Sequence, residues 1–132
     1  MKKLILALAI VAGALAFVVH GGTRVPDEVQ PIAWNVEPCA HCHMLIGDPA
    51  YAAQVITDDG RVHSFDDPGC AARYIEKHRA RVHRAWFHGG RGDGWIPLAE
   101  VGFVKVATSP MGSNVIAVLR STPGALALED VR

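Results

Sequence analysis

Apolar and polar positions divide the chain into one long apolar block and a series of short, alternating segments. Residues 4–19 form an apolar run behind Met1-Lys2-Lys3, and the run ends at His20-Gly21-Gly22. A basic start and a short apolar core predict an export signal, with Ala14-Leu15-Ala16 as a cleavage site. Kept as a helix, the run would span about 24 Å, short of the roughly 30 Å hydrocarbon core but tolerable with local thinning. A cleaved signal and a retained anchor are both open. In either case Lys2 and Lys3 stay inside and the remainder is exported to the periplasm or the outer face of the cytoplasmic membrane.

Residues 23–38 carry Pro26, Pro31 and Pro38 with little periodicity, which predicts an extended linker. Strands are predicted over 51–57 and 61–65, joined by Asp58-Asp59-Gly60 as a three-residue hairpin loop with Gly in the left-handed position. Asp66-Asp67-Pro68 is a helix start, because Asp is a favoured N-cap and Pro suits the first helical position. Ala71, Ala72, Tyr74 and Ile75 supply a helical apolar stripe, and the helix should fade over 78–81. Residues 82–88 alternate as a third strand. The glycine-rich stretch 89–94 lacks the setting of a phosphate loop and is predicted as a turn. Two more strands, over 101–107 and 114–119, flank the turn Ser109-Pro110-Met111-Gly112. The fold class is α+β: a strand–strand–helix–strand unit and a partial repeat of it, behind the N-terminal apolar helix. The divisions are 1–22 signal or anchor, 23–38 linker, 39–121 folded domain and 122–132 C-terminal tail.

At 132 residues, half of them hydrophobic, the chain can bury a core, and its net charge of zero gives no basic excess for nucleic acid. Seven His, three Cys and three Met are a store of metal ligands. Outside the cytosol thiols tend to pair, so with three of them at least one sulfur is free, metal-bound or bridged to another chain.

Cys39-Ala40-His41-Cys42-His43-Met44 concentrates the chemistry. Cys-x-x-Cys-His is the attachment string of a c-type haem, carried here by Cys39, Cys42 and His43. The flanking chain, however, predicts a linker and strands rather than wrapping helices. A thiol–disulfide pair normally opens a helix after a strand, and no helix signal follows Cys42. Zinc calls for a second ligand pair, which Cys70 standing alone does not supply. Soft-metal binding accounts best for the methionine, because thiolates and thioethers select monovalent copper. Met44 lies two residues from Cys42, so in an extended segment both side chains point to one side. Met111, on a tight turn, contributes little packing and is a candidate ligand. His63 could complete a site, although nothing in its spacing requires it. Asp66 and Asp67 are accounted for by capping, Cys70 by burial as a small apolar residue, His78, His83 and His88 by solvation, and Trp34, Trp86 and Trp95 by packing.

The order Cys-x-x-Cys-x-Met, Tyr51-Ala52-Ala53-Gln54, Phe65-Asp66-Asp67-Pro68-Gly69-Cys70, Trp95-Ile96-Pro97-Leu98 and Ser109-Pro110-Met111-Gly112-Ser113-Asn114 resembles the NosL family. These are accessory copper chaperones associated with nitrous oxide reductase. The likeness runs from about residue 37 to 119. It implies a fold of paired strand–strand–helix–strand units and an exported protein, not an enzyme, that binds one monovalent copper ion and passes it on. Implied partners are a client cuproenzyme and a copper exporter. Carried over by position, the family's ligand blocks fall on Cys39, Cys42 and Met44, and on Met111. Cys70, His43 and His63 are supporting candidates. The chain departs from the pattern in having no anchoring Cys after the apolar run, His43 before the first Met, and a shorter second unit.

Overall fold

A computed structural model describes residues 24–131. The signal or anchor expected over 1–22 lies outside the described residues, among which no helix is long and apolar enough to cross a membrane. The fold is α+β, with two antiparallel sheets and one α-helix among the described residues. The first sheet contains β1 (Ala53–Thr57), β2 (Val62–Phe65), β3 (Val82–His88) and β4 (Trp95–Pro97) in the order β2-β1-β3-β4. β5 (Val101–Lys105) and β6 (Val115–Leu119) form a separate two-stranded ladder. The helix, α1 (Pro68–His78), lies between β2 and β3 in sequence, which gives the strand–strand–helix–strand order that the sequence predicts.

Local chemistry explains most of these elements. The β1–β2 hairpin closes over Asp58-Asp59-Gly60, and Gly60 takes a φ of 80° that a β-branched residue would resist. Asp67 is the N-cap of α1, its side chain accepting the Gly69 N–H at 2.8 Å, and Pro68 opens the first turn, where no N–H is required. The helix buries Cys70, Ala71, Ala72 and Ile75 and ends with Lys77 and His78, which favour its C-terminal dipole. A single 3-10 turn at Arg79–Arg81 then leads into β3.

β1 is buried along its whole length because both of its faces are covered. Ala53 and Val55 belong to the main core, with Phe65 of β2 and with Ala85 and Phe87 of β3. On the other side of the strand, Gln54 holds the incoming chain. Its side-chain oxygen accepts the Gln30 N–H at 2.7 Å, and its amide donates to the Gln30 carbonyl at 3.1 Å and to Ser64 Oγ at 3.2 Å. From residue 24 to 38 the chain has no helix or strand, yet it runs against the domain. Asp27 meets His83 at 2.8 Å and Arg84 at 3.3 Å, and Ile32 packs on the core.

Phe103 of β5 meets Phe87 edge-on, with ring centroids 5.0 Å apart, so one aromatic pair joins the two sheets. The C-terminal stretch also docks: Leu126 and Phe103 exchange backbone hydrogen bonds, and Val131 is buried in the core. β4 has no counterpart among the strands read from the sequence, although Trp95 was expected to pack. Tyr51 falls in a 3-10 turn, Pro49–Tyr51, ahead of β1 rather than within the strand.

Candidate metal centre

The Cys39–Met44 segment is the tip of a narrow antiparallel finger. Asn35 donates its N–H to the Ile46 carbonyl and Ile46 donates to Glu37, while Pro38 bridges Leu45. At the tip, Cys39 N–H donates to the Met44 carbonyl at 2.8 Å, and His43 N–H donates to the Cys39 carbonyl at 3.0 Å. Closing this loop puts His43 at a φ of 66°. The strand-like alternation expected between Cys42 and Met44 therefore does not hold. The backbone turns at His43, and the Met44 side chain is 58% exposed. Ala40 N–H donates to the Ser64 carbonyl at 2.9 Å, which pins the loop to β2, and buried Ile46 roots the finger in the core.

This anchoring turns the cysteines inward. One ligand atom each from Cys39, Cys42, Asp66 and Cys70 lies within 4.8 Å of every other, enough to hold a metal ion. Cys39 and Cys42 come from the finger, Asp66 from the end of β2, and Cys70 from the first turn of α1. Cys39, Cys70 and Asp66 are almost wholly buried; Cys42 is the partly exposed member. Cys42 Sγ donates to Asp66 Oδ1 at 3.2 Å. Cys70 thus does not stand alone, and the objection that zinc lacks a further thiol loses its premise. Nor does capping explain both aspartates: Asp67 caps α1, whereas Asp66 faces the thiols. Only one residue of an Asp-Asp doublet can be the N-cap, and that was the sequence signal available for the other.

The four groups set one another's ionisation. The Cys70 thiol is the foremost influence on Cys39, assisted by the peptide N–H groups of Cys42, Asp66 and His41, and holds its pKa down at about 4 against the opposing effect of burial. Burial, then the hydrogen bonds to Asp66 and Cys39, pushes Cys42 up to about 11. Cys70 is raised above the ordinary thiol range, chiefly because its proton is held by Cys39 and because it is buried. Asp66 is raised to about 6 by burial and by Cys39. At neutral pH the cluster thus presents one thiolate, one carboxylate and two thiols.

The Ser109–Gly112 turn is fastened beside this cluster through Asp67. Oδ2 of the buried Asp67 accepts the Ser109 hydroxyl at 2.6 Å and the Met111 N–H at 3.0 Å, while Oδ1 caps the helix. Met111 is therefore held next to the residue that separates Asp66 from the start of α1, with its side chain 41% exposed. Gly69 makes this approach feasible, since a Cβ there would lie 2.7 Å from Ser113 Cβ. Gly69→Ala is expected to cost about 1–3 kcal/mol as overpacking and to loosen the 109–113 turn from the helix. Urea unfolding would measure the first effect, and amide exchange at Met111 the second.

Of the remaining candidates, His43 is exposed on the finger. His63 stacks on Tyr74 at 4.9 Å, outside the four-residue cluster, with burial foremost in lowering its pKa. Of the three histidines expected to be solvated, His83 is exposed and pairs with Asp27, whereas His78 and His88 are half-buried: His78 lies against Tyr74 at 4.4 Å, and His88 meets Trp95 edge-on with its Nδ1 buried and unpartnered. Compared with protein-family models, with curated proteins and with solved structures, the chain matches none.

Proposed function

We propose that this protein is an exported copper chaperone of the NosL type, which holds one monovalent copper ion and delivers it to a periplasmic cuproenzyme such as nitrous oxide reductase. The observation that carries this reading is the convergence of three cysteine sulfurs, from two stretches far apart in sequence, on one point. Sulfur donors in that number suit a soft cation. Met111 lies on a turn tied to the same helix start, and Met44 adjoins the same loop, which makes the two thioethers the candidates for a further sulfur donor. Cys42, the one partly exposed thiol, is the route by which a partner's ligand enters and the ion leaves. An ion held by buried sulfurs with one accessible member resists loss to solvent yet yields to ligand exchange.

The arrangement weighs against covalent haem at Cys39, Cys42 and His43. The Cys39 sulfur is turned into the core against Cys70, whereas His43 is on the outside of the loop. Anaerobic titration of the reduced protein with monovalent copper against a competing chelator tests the proposal. One equivalent should bind, and Met111→Ala should weaken binding about tenfold, roughly 1.4 kcal/mol. No binding in that titration would end the copper reading; an unchanged Met111→Ala would remove that residue from the site.

A further inference from the structure

Asp66 is a residue that a purely soft-metal site does not need. It sits buried among three sulfurs, and its carboxylate is not paired with any Lys, Arg or His among the described residues. Its side-chain hydrogen-bond partner is the Cys42 thiol, a weak donor. A buried carboxylate without a cation is costly, and monovalent copper, satisfied by two or three sulfurs, does little to offset that cost. A divalent borderline cation does more. Zinc takes four donors in a tetrahedron, and it accepts carboxylate oxygen beside thiolate.

We infer that Asp66 makes the thiol cluster a four-donor site for a divalent cation of the zinc class, three sulfurs and one oxygen. The inference uses the sulfurs of the site proposed above, but it does not depend on copper being the cargo. The geometry is close to what such an ion requires. With ordinary zinc–sulfur and zinc–oxygen bonds, tetrahedral neighbours lie about 3.8 Å apart for two sulfurs and about 3.6 Å for sulfur and oxygen. Cys42 Sγ and Asp66 Oδ1 are already 3.2 Å apart, and no pair in the set exceeds 4.8 Å. The set therefore closes on an ion by small side-chain rotations. Two rigid supports hold it ready: the Ala40–Ser64 bond fixes the finger, and the Asp67 cap fixes the start of α1. Both donor types are thus built in, and Asp66 decides which class of ion the cluster prefers.

The experiment titrates the reduced full chain anaerobically with zinc ion alone, and separately with monovalent copper, each against a chelator. Wild type is compared with Asp66→Asn and Asp66→Ser, the second variant covering a folding failure of the first. One zinc ion should bind to wild type and at least tenfold more weakly to either folded variant, and copper binding should fall by a clearly smaller factor. Cobalt bound in place of zinc should give the visible bands of a tetrahedral thiolate site, and these should shift in the variants. The inference is overturned if zinc does not bind, if the variants bind zinc as wild type does, or if copper binding falls in step with zinc. Zinc bound with the expected dependence on Asp66 but no copper bound would sustain this inference and refute the copper reading.

Discussion

Asp67→Ala is expected to destabilise the protein by about 3 kcal/mol and to release the Met111 turn in the same step. The carboxylate is wholly buried and accepts three hydrogen bonds, from Gly69 N–H, Ser109 Oγ and Met111 N–H. Loss of a helix N-cap alone costs about 1 kcal/mol. Each further donor left unsatisfied in a buried setting costs about 1–3 kcal/mol, reduced where water can enter. The turn is partly exposed, so we take the lower end for both of its donors. Against a total stability of about 5–15 kcal/mol, that is a large share. The urea midpoint should fall with little change in slope, and the amide of Met111 should lose protection. Ser109→Ala, which removes the hydroxyl that donates to Asp67 and accepts the exposed Asn114 N–H but leaves the cap intact, should cost only about 1–2 kcal/mol. A fall in Asp67→Ala no larger than that would show that the two elements are not joined through this side chain.

What the sequence revealed about this region was local. The Asp-Asp-Pro helix start, the hairpin over Gly60 and the turn over Gly112 each depend on a few neighbouring residues, and each is present. β4 was not visible, because it is three residues long, contains Pro97, and exists only by pairing with β3. The site itself was half visible. The Cys39–Cys42 spacing marked one side of it, but the arrival of Cys70 depends on how α1 packs over β1 and β2. Asp66 is hidden behind its neighbour, since in the sequence a capping role accounts for either aspartate. The alternation that put Met44 on the same side as Cys42 fails for a local reason. Two-residue alternation requires extended backbone, and the positive φ of His43 removes it. Nothing in residues 23–38 announced that Gln30 would be clasped by a buried Gln54, because a proline-rich stretch shows no periodicity whether it is free or docked.

If the four-donor cluster holds zinc as inferred, Cys39→Ser should weaken zinc binding at pH 7 by at least about a hundredfold, while leaving the number of protons released on binding unchanged. The binding free energy of a structural zinc site, about 10–16 kcal/mol at pH 7, is spread over four ligands, so losing one costs about 3 kcal/mol. Cys39 is the ligand ionised beforehand, with its pKa near 4, so it binds without first giving up a proton. Cys42, near 11, and Cys70, raised beyond the ordinary range, are still thiols at pH 7 and must each lose a proton to the buffer. Three thiols less one already ionised leaves about two protons released, with Asp66 adding part of another below its pKa of about 6. Binding that expels protons strengthens as pH rises, by about two decades per pH unit between 7 and 9 where two thiols are displaced. Titration calorimetry in buffers of differing ionisation enthalpy counts these protons. Wild type and Cys39→Ser should both release about two, and Cys42→Ser about one, because serine in place of Cys42 has no thiol proton to lose. A release of about three from wild type would mean that Cys39 is an ordinary thiol and that its neighbours do not hold it ionised.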